Sequence, residues 1–269
     1  MSKQNKQRQP LILITNDDGI DSPGLWAAVE ALCDLGELLI AAPHVQQTGM
    51  GRSFPHSEEG GVIDKVVRVV GDRSFTAYSI HGSPAQAVSH AVLELADRKP
   101  DLCVSGINYG ENLGLSLTCS GTLGAAFESD SHGLPSIAVS RQADLSIQQS
   151  SEFVTLNWEA SKHATFMVAR KVLKEGMPEG VVILNVNIPD DATVNTPMRI
   201  TAQSRLNYSV FIKPGKRDFD KSYRLTSKLD IDRTRTERNS DIYAFFYDKV
   251  ISITPLTWRL SIETDWTYE

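Results

Sequence analysis

Two adjacent carboxylates, Asp17 and Asp18, follow the apolar run LILIT (11–15), and Gly19 comes directly after them. Neighbouring carboxylates repel unless a cation neutralises them, and a glycine lets the backbone turn tightly enough for both to converge. A hydroxyl from Thr48 and the side-chain carbonyl of Asn108, each in a loop after another apolar run, would make the set all oxygen. Hard oxygen donors without imidazole or thiolate select Mg²⁺, Mn²⁺ or Ca²⁺ over Zn²⁺. Taken alone, Asp17-Asp18 also fits an Asx turn. Phosphate is the second chemistry on offer. Ser120-Gly121-Thr122 is a small-residue turn opening a helix, where backbone N–H groups meet the positive end of the macrodipole, although a plain N-cap has the same sequence. Gly49, in Gly49-Met50-Gly51-Arg52, offers a second backbone nest with a cation beside it, and Asn16 flanks the acidic pair, so both join the phosphate-binding candidates. Tyr109 could stack on a base or be an exposed loop tyrosine; His81 and His163 read as surface or core residues, and His44 stands beside the metal loop.

Such residues need a scaffold that gathers loops at one edge. LILIT (11–15), ELLIAA (37–42), LCVS (102–105) and SIAVS (136–140) are nearly continuous apolar runs, as expected of parallel strands covered on both faces. Helical patterns separate them. Ser22-Pro23 starts one helix, Ser83-Pro84 with Gln86 forms a capping box for another, and 157–175 carries apolar residues at helical spacing. VVILNVNIP (181–189) predicts a further strand, and 63–80 a hairpin turning at Gly71-Asp72. The fold class is therefore α/β, a mostly parallel sheet with flanking helices and an inserted hairpin. Ligands in such sheets bind beyond the carboxyl ends of the strands, where all four loops lie.

The chain reads as a single domain over 1–269, with a polar tail over 1–10, an α/β core over 11–200 and a C-terminal β-rich region over 201–269. MRITAQS, YSVFI, IYAFFY and VISIT look like strands, separated by a mixed-charge stretch without a core of its own. The expectation for Asn207 to Tyr247 is an assembly arm that buries Tyr243, Phe245, Phe246 and Tyr247 against a partner. A net charge of −6 gives no reason to bind a nucleic-acid polymer. With no apolar run long enough for a membrane span, no signal-peptide pattern, and three cysteines without CxxC spacing, a cytoplasmic location is expected.

Read together, ILITNDDGIDSPGL, AAPHVQQTG, VSGINYGENLG and SGTLGAAFES resemble the motifs of the stationary-phase survival protein SurE family of nucleotidases, and SITPLT is similar to its last strand. The resemblance implies a Rossmann-like core and one Mg²⁺ or Mn²⁺ per subunit held by Asp17, Asp18, Thr48 and Asn108. It implies Ser120, Gly121 and Thr122 as the phosphate-binding stretch. The catalytic candidates are Asp17 and Asp18, since a carboxylate fixed beside a metal can take a proton from an attacking water, and a covalent aspartyl-phosphate is equally open to them. The resemblance further implies hydrolysis of nucleoside 5′- and 3′-monophosphates, short polyphosphates as additional substrates, and homodimers or homotetramers. The chain departs from the family at Thr48, usually serine; at His44, usually acidic or amide; at Gln86, usually aspartate; and at Cys119, usually aromatic or histidine. Two rival readings remain at this level: a non-enzymatic phosphate or nucleotide sensor, and a metal-dependent deacetylase, which would want histidine ligands near the acidic pair.

Overall fold

Every residue of Leu11–Thr15 is buried, and this run, β1, is an interior strand of a computed structural model that describes residues 8–145, 147–148 and 153–267. After α1 (Pro23–Leu32) and β2 (Glu37–Pro43), the hairpin β3 (Ile63–Val70) and β4 (Arg73–Ile80) leads to α2 (Pro84–His90). Then come β5 (Leu102–Tyr109), α3 (Gly121–Ser131), β6 (Ser136–Arg141), α4 (Glu159–Glu175) and β7 (Ile183–Ile188). The C-terminal part adds β8 (Met198–Ile200), β9 (Ser209–Phe211), β10 (Ser227–Leu229), α5 (Asp241–Phe246) and β11 (Ile251–Leu256). Nine strands form one sheet in the order β3-β4-β2-β1-β5-β6-β7-β11-β8, while β9 and β10 pair separately.

From β4 to β7 all neighbours are parallel; β3 and β11 run antiparallel to β4 and β7. Strand alternation divides the core. Ile12 and Ile14 pack with Leu25 and Val29 of α1 and Val168 of α4, whereas Leu11 and Leu13 pack with Val88 of α2 and Ala125 of α3. The chain moves from β1 to β2 on one side and enters β5 on the other, so a crevice opens between the ends of β1 and β5.

The helix starts are those expected, with one difference. Ser83 accepts from the Gln86 N–H at 3.1 Å while the Gln86 side chain accepts from the Ser83 N–H at 2.8 Å, closing the capping box. Ser22 makes no side-chain cap bond, and Pro23 alone marks the start of α1. The larger correction concerns IYAFFY, which is helical. Ser240 caps α5 by accepting from the Tyr243 N–H at 3.2 Å, and Ile242 and Phe245, three residues apart on one helical face, bury against Leu113 and Tyr208. Burying a phenylalanine side chain stabilises by about 1.5–3 kcal/mol, enough to override aromatic strand propensity. Tyr243 and Phe245 are thus buried within their own chain, not against a partner.

Candidate active site

The first loop is built by Asn16. Its amide donates to the Gly19 carbonyl at 2.9 Å and its carbonyl accepts from the Gly19 N–H at 3.1 Å, so the side chain is committed to closing the acidic turn. Gly19 has φ 96°, and a Cβ there would lie 3.0 Å from the Val45 carbonyl carbon. The second loop docks on the first by backbone: the Gln47 N–H donates to the Asp17 carbonyl at 2.7 Å, and the Ile20 N–H to the Pro43 carbonyl at 2.8 Å. Thr48 and Gly49 are carried beside the acidic pair in this way.

Asp17 and Asp18 are both buried. Asp17 accepts from the Thr122 hydroxyl at 2.7 Å; Asp18 accepts through Oδ2 from the Tyr109 N–H at 3.0 Å, while its Oδ1 is buried without a partner. Burial raises the Asp17 carboxyl to about 6 against the hydrogen bonds from Thr122. Burial, and then the charge of Asp17, push Asp18 well above the ordinary carboxylate range. Two desolvated carboxylates with an unpartnered oxygen form a site built for positive charge. The Asn108 amide group donates to the Gly110 carbonyl at 2.6 Å, which leaves its side-chain carbonyl for a cation. The donors are oxygen throughout, and they fit a hard divalent cation.

A cavity of about 610 Å³ opens at this point, and Asp17, Thr48, Gly49, Asn108 and Ser120 all line it. Its far wall comes from the C-terminal region, including Tyr208, Phe211 and Arg224. The other residues singled out in the sequence have local duties. The Ser120 hydroxyl caps α3 by accepting from the Leu123 N–H at 3.2 Å. Gly121 permits a close approach, since a Cβ there would meet the Asp17 carboxylate at 2.7 Å, and Thr122 is turned onto Asp17. Tyr109 also lines the cavity, and it is not the exposed loop tyrosine that the sequence allows: its ring packs edge-on to Trp158 at 5.1 Å and against Phe153 at 5.5 Å, and its hydroxyl donates to the Val154 carbonyl. Arg52 is held by Glu128 at 2.7 Å and lies over Trp258. Among the described residues no histidine lines the cavity; His44 stacks on His81 with ring centroids 4.2 Å apart. Together with Asp64 these two histidines form a separate group able to hold a metal.

Several positioning residues escaped the sequence reading. Asn112 donates its N–H to Asn187 at 2.7 Å and its amide to Ser140 at 2.9 Å, while its carbonyl accepts from Asn185 at 2.9 Å and Asn187 at 3.0 Å. This buried network fixes the loop that follows Asn108. Its signal was present as two asparagines inside the apolar strand VVILNVNIP, where a polar residue needs a buried partner. Glu111 also lines the cavity, and burial raises its carboxyl to about 7. Tyr208 donates to the Glu111 carbonyl at 3.0 Å, and Asp241 accepts from the Gly114 N–H at 2.9 Å and the Ser204 N–H at 2.9 Å. The C-terminal region is thereby tied to the site loop of its own chain.

The family model described as Survival protein SurE matches residues 12–210. A protein named 5'-nucleotidase SurE from Thermococcus gammatolerans is 40% identical over 258 residues, covering 94% of this chain and 92% of its own length. One of the same name from Methanothermobacter thermautotrophicus is 44% identical over 206 residues, covering 75% and 76%. The crystal structure of the SurE protein from Aquifex aeolicus superposes with a TM-score of 0.70 at 31% identity, covering 94% of this chain and 95% of that one. The acidic turn after β1, the loops gathered around it and these similarities agree: the chain belongs to the Survival protein SurE family.

Proposed function

We propose that this protein is a phosphomonoesterase that hydrolyses nucleoside 5′-monophosphates to nucleoside and phosphate, with 3′-monophosphates and short polyphosphates as further substrates. The observation that carries the reading is the buried pair Asp17 and Asp18, with an unpartnered oxygen on Asp18 and with Asp17 lining a cavity of about 610 Å³. That volume lies within the range of small-molecule sites. The names of the relatives, 5'-nucleotidase SurE, support the substrate class.

Asp17, Asp18, Thr48 and Asn108 are the residues that would hold one Mg²⁺ or Mn²⁺, which when bound neutralises the acidic pair and stabilises charge on the phosphoryl group. Thr122 and the Tyr109 N–H fix the two carboxylates in place, so little reorganisation remains at the moment of reaction. Asp17, which lines the cavity, is the residue that accepts a proton from the attacking water in this reading. Ser120 and Gly49 line the same cavity as contacts for the phosphate, and the wall of Tyr208, Phe211 and Arg224 faces the nucleoside. The deacetylase alternative loses ground because His44 is turned to His81 and Ser79. A cytoplasmic location and assembly through the 207–229 region belong to the same proposal; among the described residues no helix is long and apolar enough to cross a membrane.

Release of phosphate from AMP with Mn²⁺ or Mg²⁺ tests the reading. Activity should disappear in EDTA, return with either ion, and fall by at least about 10²-fold in Asp17→Asn. Full turnover in metal-free buffer would sink the metal-dependent mechanism, and ligand binding without turnover would leave a sensor.

A further inference from the structure

We propose a second metal site, selective for a borderline divalent cation such as Zn²⁺, formed by His44, His81 and Asp64 outside the catalytic cavity. The three residues come from three segments: the loop after β2, the residue following β4, and β3. One ligand atom from each lies within 4.8 Å of the others, and none of the three lines the cavity. His81 Nε2 stands 3.1 Å from Asp64 Oδ2. Two ligands of a tetrahedral Zn²⁺, with bonds of about 2.0–2.1 Å, are separated by roughly 3.3 Å, so this pair already has the spacing of a coordination edge.

The outer contacts have the arrangement of a ligand shell. His81 Nδ1 lies 3.1 Å from Glu59 Oε2, which as an N–H donor to that carboxylate would leave Nε2 with its lone pair for a cation. His44 Nδ1 lies 2.9 Å from the Ser79 hydroxyl, and the same tautomer leaves His44 Nε2 as its ligand atom. Each imidazole thus has a hydrogen-bond partner on the nitrogen away from the proposed ion. The rings are nearly parallel, with 21° between their planes, and convergence of both lone pairs requires the exposed His44 ring to open. Two imidazoles and one carboxylate favour Zn²⁺ over Mg²⁺, whereas the acidic pair has the opposite preference, so the two sites separate by ligand softness. The arrangement resembles three-ligand zinc sites that keep a fourth position for water. It would clamp the β3–β4 hairpin to the loop that carries Thr48.

Calorimetric titration with Zn²⁺ is run in saturating Mg²⁺, which competes for the oxygen donors, and the uptake lost in the ligand variants reads this site. The wild-type protein should take up one Zn²⁺ per chain and melt at higher temperature with Zn²⁺ than without it. His81→Ala and His44→Ala should each weaken binding by at least about 10²-fold, and Glu59→Gln, which touches no ion, by about 10- to 100-fold. Co²⁺ in place of Zn²⁺ should give visible absorption bands that His81→Ala abolishes. Melting of the metal-free variants checks folding, and Asp64→Asn on an edge strand provides a second ligand deletion should a histidine variant misfold. Equal Zn²⁺ uptake by the wild type and these variants, or no uptake above the Mg²⁺-filled site, would overturn the proposal and leave His81 hydrogen-bonded between two surface carboxylates. These readouts do not depend on AMP hydrolysis.

Discussion

At the residue scale, the acidic turn trades stability for charge. Asp18 is desolvated and repelled by Asp17, yet its Oδ2 is oriented by the Tyr109 N–H. Asp18→Asn keeps an acceptor for that bond and removes the repulsion. It should therefore raise the melting temperature in EDTA while lowering phosphate release from AMP by at least about 10²-fold, a pairing seen where function stores unfavourable charge. A lower melting temperature would show that the carboxylate is needed for folding as well. Glu111 gives a pH prediction. Its folded value of about 7 lies above the ordinary 4.5, so the native state binds the extra proton between these values. The stability it contributes is present below about pH 4.5 and is lost as pH rises through 7, by up to about 3 kcal/mol. Urea unfolding in EDTA at several pH values should show Glu111→Gln losing that part of the pH dependence and exceeding the wild type at pH 8. Parallel curves for the two proteins would mean that Glu111 is solvated.

At the element scale, the site depends on how β7 holds the loop that follows β5. Asn187 both donates to and accepts from the Asn112 backbone, inside a strand that is buried throughout. Asn187→Ala leaves the Asn112 N–H without its partner and the Asn112 carbonyl with Asn185 alone, and should cost about 1–3 kcal/mol, measured by urea unfolding. Because Asn108 stands at the root of the same loop, AMP hydrolysis should fall with it, most visibly as a larger requirement for Mn²⁺. Unchanged stability would place water in the network. The strands and helix starts carrying Asp17, Asn108 and Ser120 were legible because apolar runs and proline or serine caps are local signals. Helix α5 was not, because Tyr243 and Phe245 favour strands until Leu113 and Tyr208 provide a surface for one helical face. The small residues at the N-terminus of α3 are visible in the sequence, but the turn of the Thr122 hydroxyl onto Asp17, a partner 105 residues away in the chain, is not.

At the scale of the whole molecule, β9 and β10 pair outside the main sheet, and most of the segment between them is exposed. Phe211 is 70% exposed and Phe219 84% exposed, and Arg217 lies over the rings of Phe219 and Tyr223. An exposed aromatic group of this kind suits a second copy of the chain, and Phe219 is not among the cavity-lining residues. Phe219→Asp together with Leu229→Asp should shift the protein toward monomer in light scattering while the melting temperature changes little. A wild-type protein already monomeric at micromolar concentration would refute assembly through this region.

The sequence by itself determined the α/β class, the central strands, the capping box at Ser83 and the loops that carry Asp17, Thr48 and Asn108. Each is written in contiguous residues, by apolar runs, capping side chains and glycine turns whose physics is local. Only the tertiary structure decided that the Tyr109 ring belongs to the core, that Asn185 and Asn187 hold the site loop, and that His44, Asp64 and His81 meet. Those facts depend on which strands become neighbours. Sheet order and helix packing are fixed by burial summed over the whole chain, and no short stretch of residues carries that sum.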